Sequence, residues 1–436
     1  MSHSAAAGFR HAVLPSGITL VGEEVDSVRS LAVGVWVGVG ARHEGEGESG
    51  LSHFLEHMLF KGTRTRDAFQ IAWSLEAVGG HLDAFTGREA TCFFARALDE
   101  HLDLALDVLA DLTLRPRLDP GDVTKEKQVI LEEIRNSEDT PDDRIHDLFA
   151  DVVWKGHPLG HRILGSKESV SAFETARVAG YHRRHYVAPN LLISIAGRFE
   201  WDHFVSEVTA RFADAEAGPR TAATPSGASG RAVVHHVEDL QQQYLCVGGP
   251  GLSHEHPDRY TLALLSTVLG GGMSSRLFQR VREQEGLAYA VYTYADSYED
   301  SGVICAAMNV QPAHGRRALR LTLEEFDRIA NEGLPADELE AAKAQLKGGL
   351  LLSLESTSSR MHRIARSQLY AGRLVAVEEL VEAIERITSD DVRRTAGTLL
   401  ARDQLSIVAL GGSDGRPYDV GDLVPATPAG ASAGGA

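Results

Sequence analysis

Hydrophobic and polar positions along the chain fall into blocks that occur twice. The run "LAVGVWVGVG" at 31–40 is apolar without interruption, too short to span a bilayer and reading as a strand buried on both faces. Gly34, Gly38 and Gly40 within it mark places where a neighbouring chain segment can approach closely. Helical periodicity follows near 50–61 and 66–78, then a hairpin near 81–98, helices from 102 and from 121, and a closing strand in "NLLISIAGR". The second half repeats this outline. It has strands near 232–250, a helix from Arg259, strands near 288–310, helices from Arg316 and a closing strand in "QLSIVALGG".

The stretch "DAEAGPRTAATPSGASG" at 214–230 reads as a linker, and "ATPAGASAGGA" at the end reads as a disordered tail. Sliding the chain on itself by 216 positions aligns "LDPGDVTKEKQVILEEIRNSEDTPDDRIH" with "LPADELEAAKAQLKGGLLLSLESTSSRMH". Leu118 then meets Leu334, Lys127 meets Lys343, Ser137 meets Ser353, Arg144 meets Arg360 and His146 meets His362. The apolar phase is only partly kept, but a tandem pair of α+β domains follows. The expected boundaries are 9–213 for the first domain, 214–230 for the linker, 231–413 for the second domain and 414–436 for a low-complexity tail.

Composition narrows the partners. A chain of 436 residues has room for two cores, and 43% hydrophobic with 24% charged residues is a globular balance. The formal charge of −18 argues against nucleic acid as a partner, since duplex binding usually shows a basic face, and favours solubility or cationic ligands. Cys92, Cys246 and Cys305 are odd in number and far apart in sequence, offering neither a disulfide framework nor a CxxC metal pair. With no signal-like or membrane-spanning run recognised, a cytoplasmic protein without membrane insertion is the expectation.

One helix carries chemistry in an apolar setting. "GLSHFLEHMLFKGT" from Gly50 places His53, Glu56 and His57 among Leu51, Phe54, Leu55, Met58 and Leu59. Residues four apart share a helical face, so both imidazoles can reach one ion, with Glu56 beside them. The order H-x-x-E-H is the inverted zincin motif. A catalytic zinc needs a third protein ligand, and "TKEKQVILEEIRNSED" offers Glu126 and Glu133, seven apart on one helical face. The pattern alone does not choose between them.

"HFLEHMLFKGT", followed by the glutamate of "VILEEI" 76 residues after His57, resembles the M16 family of inverzincin metallopeptidases. That family includes the processing peptidases of mitochondria, and the likeness runs from "VLPSGITLV" to "SIVALGG". The resemblance implies two α/β-roll domains, with mostly antiparallel sheets and helices on one face, closing as a clam-like chamber on unfolded peptides. It makes Glu133 the third zinc ligand, Glu126 its supporting acid and Glu56 the general base, with one Zn2+ per chain. The repeat places Met273, Ala342 and Gly349 opposite His57, Glu126 and Glu133, so the second half lacks a zinc site and is expected to serve binding.

Family members also carry an Arg and a Tyr seven residues apart in the second half, which Arg282 and Tyr289 match within "GGGMSSRLFQRVREQEGLAYAVYTY". Both side chains can donate hydrogen bonds to peptide carbonyls. The strand of "GGHLDAFTGREATCFFARAL" corresponds to one that pairs with an extended substrate, which gives Asp83, Ala84 and Phe85 a substrate-proximal role. Many relatives have Asn where this chain has Asp83. Other histidines, including His81, His157, His161, His182 and His185, are expected to be structural. The rival reading is a non-catalytic subunit like the core proteins of respiratory complex III, whose zinc motifs are damaged; a zinc-binding module is a third. Here the motif, the Arg and the Tyr occur together, so a homodimer or a self-sufficient chain is the expected assembly.

Overall fold

In the computed structural model, which describes residues 8–227 and 230–424, the chain divides into two compact units. The first sheet contains β1 (Phe9–Val13), β2 (Thr19–Glu24), β3 (Ser30–Val37), β4 (His81–Thr86), β5 (Thr91–Leu98) and β6 (Leu191–Gly197), in the order β1-β2-β6-β3-β5-β4. Helices α1 (Leu51–Leu59), α2 (Ala68–Glu76), α3 (Leu102–Leu114), α4 (Pro120–Glu138), α5 (Pro141–Val153), α6 (Lys167–Ala172), α7 (Thr175–His185) and α8 (Trp201–Arg211) complete the first half. The second sheet contains β7 (Val233–His236), β8 (Gln243–Pro250), β9 (Ala288–Ser297), β10 (Gly302–Val310) and β11 (Ser406–Leu410), in the order β7-β11-β8-β10-β9. Its half contributes α9 (Arg259–Gly270), α10 (Gly315–Glu332), α11 (Ala336–Ser353) and α12 (Thr357–Ala371).

Setting β1 aside, the two sheets have one topology. β2 and β6 pair in parallel as β7 and β11 do, and the remaining neighbours pair antiparallel in both. The fold is therefore α+β, built twice. The spacing of 216 holds for two helices in succession, since α4 and α11 begin at Pro120 and Ala336, and α5 and α12 at Pro141 and Thr357.

The units do not follow the halves of the chain. Residues 141–155, which include α5, belong to the second unit, and residues 347–383, which include α12, belong to the first. Each helix covers the otherwise bare face of the sheet in the other half's unit. Side chains of β3 alternate accordingly: Leu31, Val33, Val35 and Val37 join the core of α1 and α3, while Ala32 and Trp36 join Met361, Ile364 and Ala365 of α12. Burial on both faces explains the unbroken apolar run. A Cβ on Gly34 would meet Met361 Sδ at 2.8 Å, and one on Gly40 would meet the Gly87 carbonyl oxygen at 2.3 Å, whereas Gly38 has ordinary room, with Asn190 O at 3.6 Å.

The exchanged helices account for two of the identities found in the repeat. Arg360 on α12 pairs with the buried Glu23 of β2, as does Arg363 at 3.1 Å. Arg144 on α5 makes a bidentate pair with Glu238, just after β7, at 3.0 and 2.7 Å. His362 packs against the rings of Trp36, Phe85 and Phe94, and His146 is hydrogen-bonded to Tyr292 and Tyr294.

The stretch that reads as a linker is held to the first unit in its described part. Thr221 N donates to Asn190 Oδ1 at 2.8 Å, and Arg42 Nη2 donates to the Thr224 carbonyl at 2.8 Å. The start of the expected tail is also packed: Tyr418 and Leu423 enter the second core, and Tyr418 OH donates to Gln243 Oε1 at 2.8 Å. Its low-complexity end, 425–436, lies outside the described residues. Cys92, Cys246 and Cys305 are buried free thiols, and among the described residues no helix is long and apolar enough to cross a membrane.

Candidate metal centre

The site begins with how α1 is held. Gly50 precedes it with φ 90°, and a Cβ there would meet the Leu164 carbonyl at 2.7 Å, so this entry demands glycine. No side chain of Gly50 can cap the helix. The buried Glu44 carboxylate does so instead, accepting from Gly50 N and Ser52 N at 2.8 Å each. Burial pushes the Glu44 pKa up to about 7, against the pull of those donors. Ser52 Oγ is hydrogen-bonded to Tyr181 OH of α7 at 2.8 Å. With Leu51, Phe54, Leu55, Met58 and Leu59 buried, His53, Glu56 and His57 are left on the remaining, half-buried face.

Helix α4 packs beside α1, burying Val123, Glu126, Ile130 and Ile134. Val129, an apolar residue between the two glutamates, is 44% exposed. The two glutamates take different places. Glu133 Oε2 lies 3.9 Å from His53 Nε2 and 3.7 Å from His57 Nε2, whereas Glu126 Oε1 lies 3.0 Å from the other ring nitrogen of His57, Nδ1. Donor atoms of His53, His57 and Glu133 lie within 4.8 Å of one another.

This set fits a tetrahedral transition metal on two grounds. Glu133 Oε2 is buried, yet has no hydrogen-bond partner among the described residues; such an atom is costly unless a cation or donor meets it. The Glu126 contact fixes a proton on His57 Nδ1 and leaves the Nε2 lone pair free to ligate. His53, His57 and Glu133 would hold the ion, leaving one position open.

Electrostatics around the trio are uneven. Burial, helped by the neighbouring His57, lowers the His53 pKa to about 4. Burial also opposes charge on His57, but the Glu126 hydrogen bond and the charges of Glu133, Glu126 and Glu56 outweigh it and leave its pKa raised. Burial raises the Glu56 pKa, opposed by the Thr86 hydrogen bond. Burial would also raise Glu126, but hydrogen bonds from His57 and Lys61 hold it below the usual carboxylate range.

Sequence reading passed over two of these neighbours. Lys61 Nζ lies 2.9 Å from Glu126 Oε2, so the acid behind His57 is itself braced. Thr86 Oγ1 donates to Glu56 Oε2 at 2.5 Å, tying the glutamate to β4. Both stand in quoted motifs, "FKGT" and "DAFT", where period and position gave no reason to single them out.

Of the residues expected near substrate, Asp83, Ala84 and Phe85 lie on β4, the edge strand, which pairs on one side with β5. Alternation separates them. Thr86 faces Glu56, while the Phe85 ring lies 5.5 Å from those of both Trp36 and His362, on the opposite face. Asp83 Oδ1 accepts from the Ala84 amide at 2.8 Å. Arg282 and Tyr289 belong to the second unit. Tyr289 is 75% exposed at the start of β9, and the Arg282 guanidinium lies 5.7 Å from its ring and 4.7 Å from that of Phe278.

Comparison with known proteins settles the family. The profile of insulinase (peptidase family M16) matches residues 21–167, and that of the peptidase M16 inactive domain matches residues 172–346. An uncharacterized zinc protease of Bacillus subtilis is 40% identical over 389 residues, covering 89% of this chain and 95% of the relative.

The chain belongs to peptidase family M16.

A second M16 relative, an uncharacterized zinc protease of Streptomyces coelicolor, is 39% identical over 408 residues, covering 92% of this chain and 89% of the relative. The crystal structure titled as a peptidase M16 inactive domain from Pseudomonas fluorescens has the same fold, with a TM-score of 0.87 at 20% identity over 93% of this chain and 98% of that one. Zinc use is thus a property of this M16 group, as the relatives' names state, and residues 172–346 resemble the domain that the family description calls inactive.

Proposed function

We propose that this M16 chain is a zinc-dependent endopeptidase acting on unfolded or presequence-like peptides, with one zinc per chain. The observation that carries this reading is the convergence of His53 Nε2, His57 Nε2 and Glu133 Oε2 beside Glu56. Zinc held by those residues supplies Lewis acidity, which makes water nucleophilic near neutral pH and polarises a peptide carbonyl. Glu56 accepts the proton that water loses as its oxygen attacks the carbonyl carbon, and returns a proton to the amine nitrogen as the C–N bond breaks. Thr86 occupies Glu56 Oε2, which orients Oε1 for that transfer. Glu126, braced by Lys61, keeps His57 in the tautomer that ligates.

Substrate binds in this reading as an added strand on β4, through main-chain groups of Asp83, Ala84 and Phe85. The hydrogen bond from Ala84 N to Asp83 competes with a substrate carbonyl there. Arg282 and Tyr289 serve as donors to substrate carbonyls, and the working form is a homodimer in the cytoplasm. An intact ligand set and base favour an active peptidase over a non-catalytic subunit of the same fold. The test is metal analysis with a peptide-library digest, run beside Glu56→Gln. Zinc bound and peptides cleaved by wild type, with zinc bound and peptides intact in the variant, is the expected result; cleavage by the purified variant overturns the role of Glu56.

A further inference from the structure

A second group of metal-ligating side chains lies in the first unit, on residues that the peptidase reading does not use. His203 and Glu207 stand one turn apart on α8, and Asp103 reaches them from α3. One donor atom from each lies within 4.8 Å of the others, as in the His53, His57 and Glu133 set. His203 Nε2 is already 2.7 Å from Asp103 Oδ1. Asp103 and His203 are exposed and Glu207 is half-buried, so their side chains have room to rotate towards an ion at about 2.0–2.2 Å from each.

Competing interactions leave one oxygen open on each carboxylate, and an ion would take the place of the His203–Asp103 hydrogen bond. Arg211 takes Glu207 through Oε2, with Nε at 3.0 Å and Nη2 at 2.8 Å, so Oε1 keeps its lone pairs. The hydrogen bond to His203 uses one oxygen of Asp103 and leaves the other. The imidazole sets this cluster apart from a patch of surface acids: one nitrogen and two carboxylates suit Zn2+, Ni2+ or Cu2+ better than Ca2+ or Mg2+.

The surroundings supply a second observation. Asp103 and His203 line an open cavity of about 570 Å³. Its other charged residues are Asp26, Asp99, Glu100 and Glu200 against Arg29 and Arg198, so carboxylates are in excess. Asp99 Oδ1 is buried there with no hydrogen-bond partner among the described residues, although Oδ2 faces Arg29 at 3.6 Å and Arg198 at 3.4 Å. Such a concavity concentrates cations and leaves room for water to complete a coordination shell.

We propose that Asp103, His203 and Glu207 form a second site for a divalent transition metal, separate from the candidate catalytic ion, which clips α3 to α8. The clip joins two helices that already pack together, so its expected effect is on the stability of the first unit rather than on hydrolysis. Neither ligand set shares a residue with the other, so the second site stands whether or not the first binds zinc.

Equilibrium dialysis against buffered Zn2+ at low micromolar free ion, followed by elemental analysis, tests it on the full chain. Wild type should retain about one more zinc per chain than His203→Ala or Asp103→Asn, and the same difference should persist when all are made in a Glu133→Ala background. In the Glu133→Ala background, Ni2+ should raise the melting temperature by a few degrees and leave the double variant with His203→Ala unmoved, at equal far-ultraviolet circular dichroism. Equal zinc content in wild type and both variants would overturn the site. So would a Ni2+ shift that, in the Glu133→Ala background, survives the loss of His203.

Discussion

The two halves of the chain share a strand order, the sense of each equivalent strand pairing and a helix given to the other unit, yet their matching long helices carry different chemistry. Glu126 and Glu133 on α4 correspond by the repeat to Ala342 and Gly349 on α11, and His57 corresponds to Met273. The packing device is kept in both: Arg360 holds Glu23 in one unit, and Arg144 holds Glu238 in the other. What the duplicated fold needs is therefore separable from what the site needs. A sheet must cover both faces and pair the carboxylate beside the covering helix, whereas ligands are required only where an ion sits.

The largest effect should come from the residue with no counterpart duty in the second unit. Glu56→Gln should lower peptide turnover by about 10²–10⁴-fold, the usual worth of a general base, with zinc content unchanged by elemental analysis. Next comes the metal itself. Glu133→Ala should lose zinc on dialysis under conditions where wild type keeps it, while Gly349→Ala, at the matching position with open space around it, should not differ from wild type. Equal zinc loss in both would break the asymmetry between the two halves of the chain.

A smaller effect is expected behind His57. Lys61→Ala and Glu126→Gln should each weaken zinc affinity or activity by about 10–100-fold, read by competition with a chelator. The contribution of the second unit can be sharpened with Tyr289→Phe, which removes one hydroxyl. Loss of a substrate hydrogen bond of about 0.5–1.5 kcal/mol should lower kcat/KM by roughly 2–10-fold at full zinc content. A fall in kcat at constant KM would place that bond in the transition state, and wild-type kinetics would remove Tyr289 from the substrate site.

The smallest effects concern the shared device. Arg360→Ala leaves Glu23, at 6% exposure, with Arg363 as its remaining partner and should cost about 1–3 kcal/mol. Arg144→Ala breaks a pair with side chains 24% and 35% exposed and should cost no more than about 1 kcal/mol. Urea unfolding midpoints would rank the two, and a larger loss in Arg144→Ala would reverse the comparison.

Much of this was legible in sequence because it rests on local periodicity. The apolar run at 31–40, the helix at 50–61 and the hairpin at 81–98 are written in residues close together in the chain, and the motif H-x-x-E-H fixes its own geometry on a helix. Spacing along α4 could not decide between Glu126 and Glu133, since both lie on one helical face. The packing of α4 against α1 sets them apart, by bringing one carboxylate to Nε2 and the other to Nδ1 of the same imidazole. The roles of Lys61 and Thr86 were hidden for the same reason: their partners are distant in sequence. The exchange of α5 and α12 was equally beyond local pattern, because an amphipathic helix does not encode which sheet it will cover; the face left bare by the other half of the chain determines that.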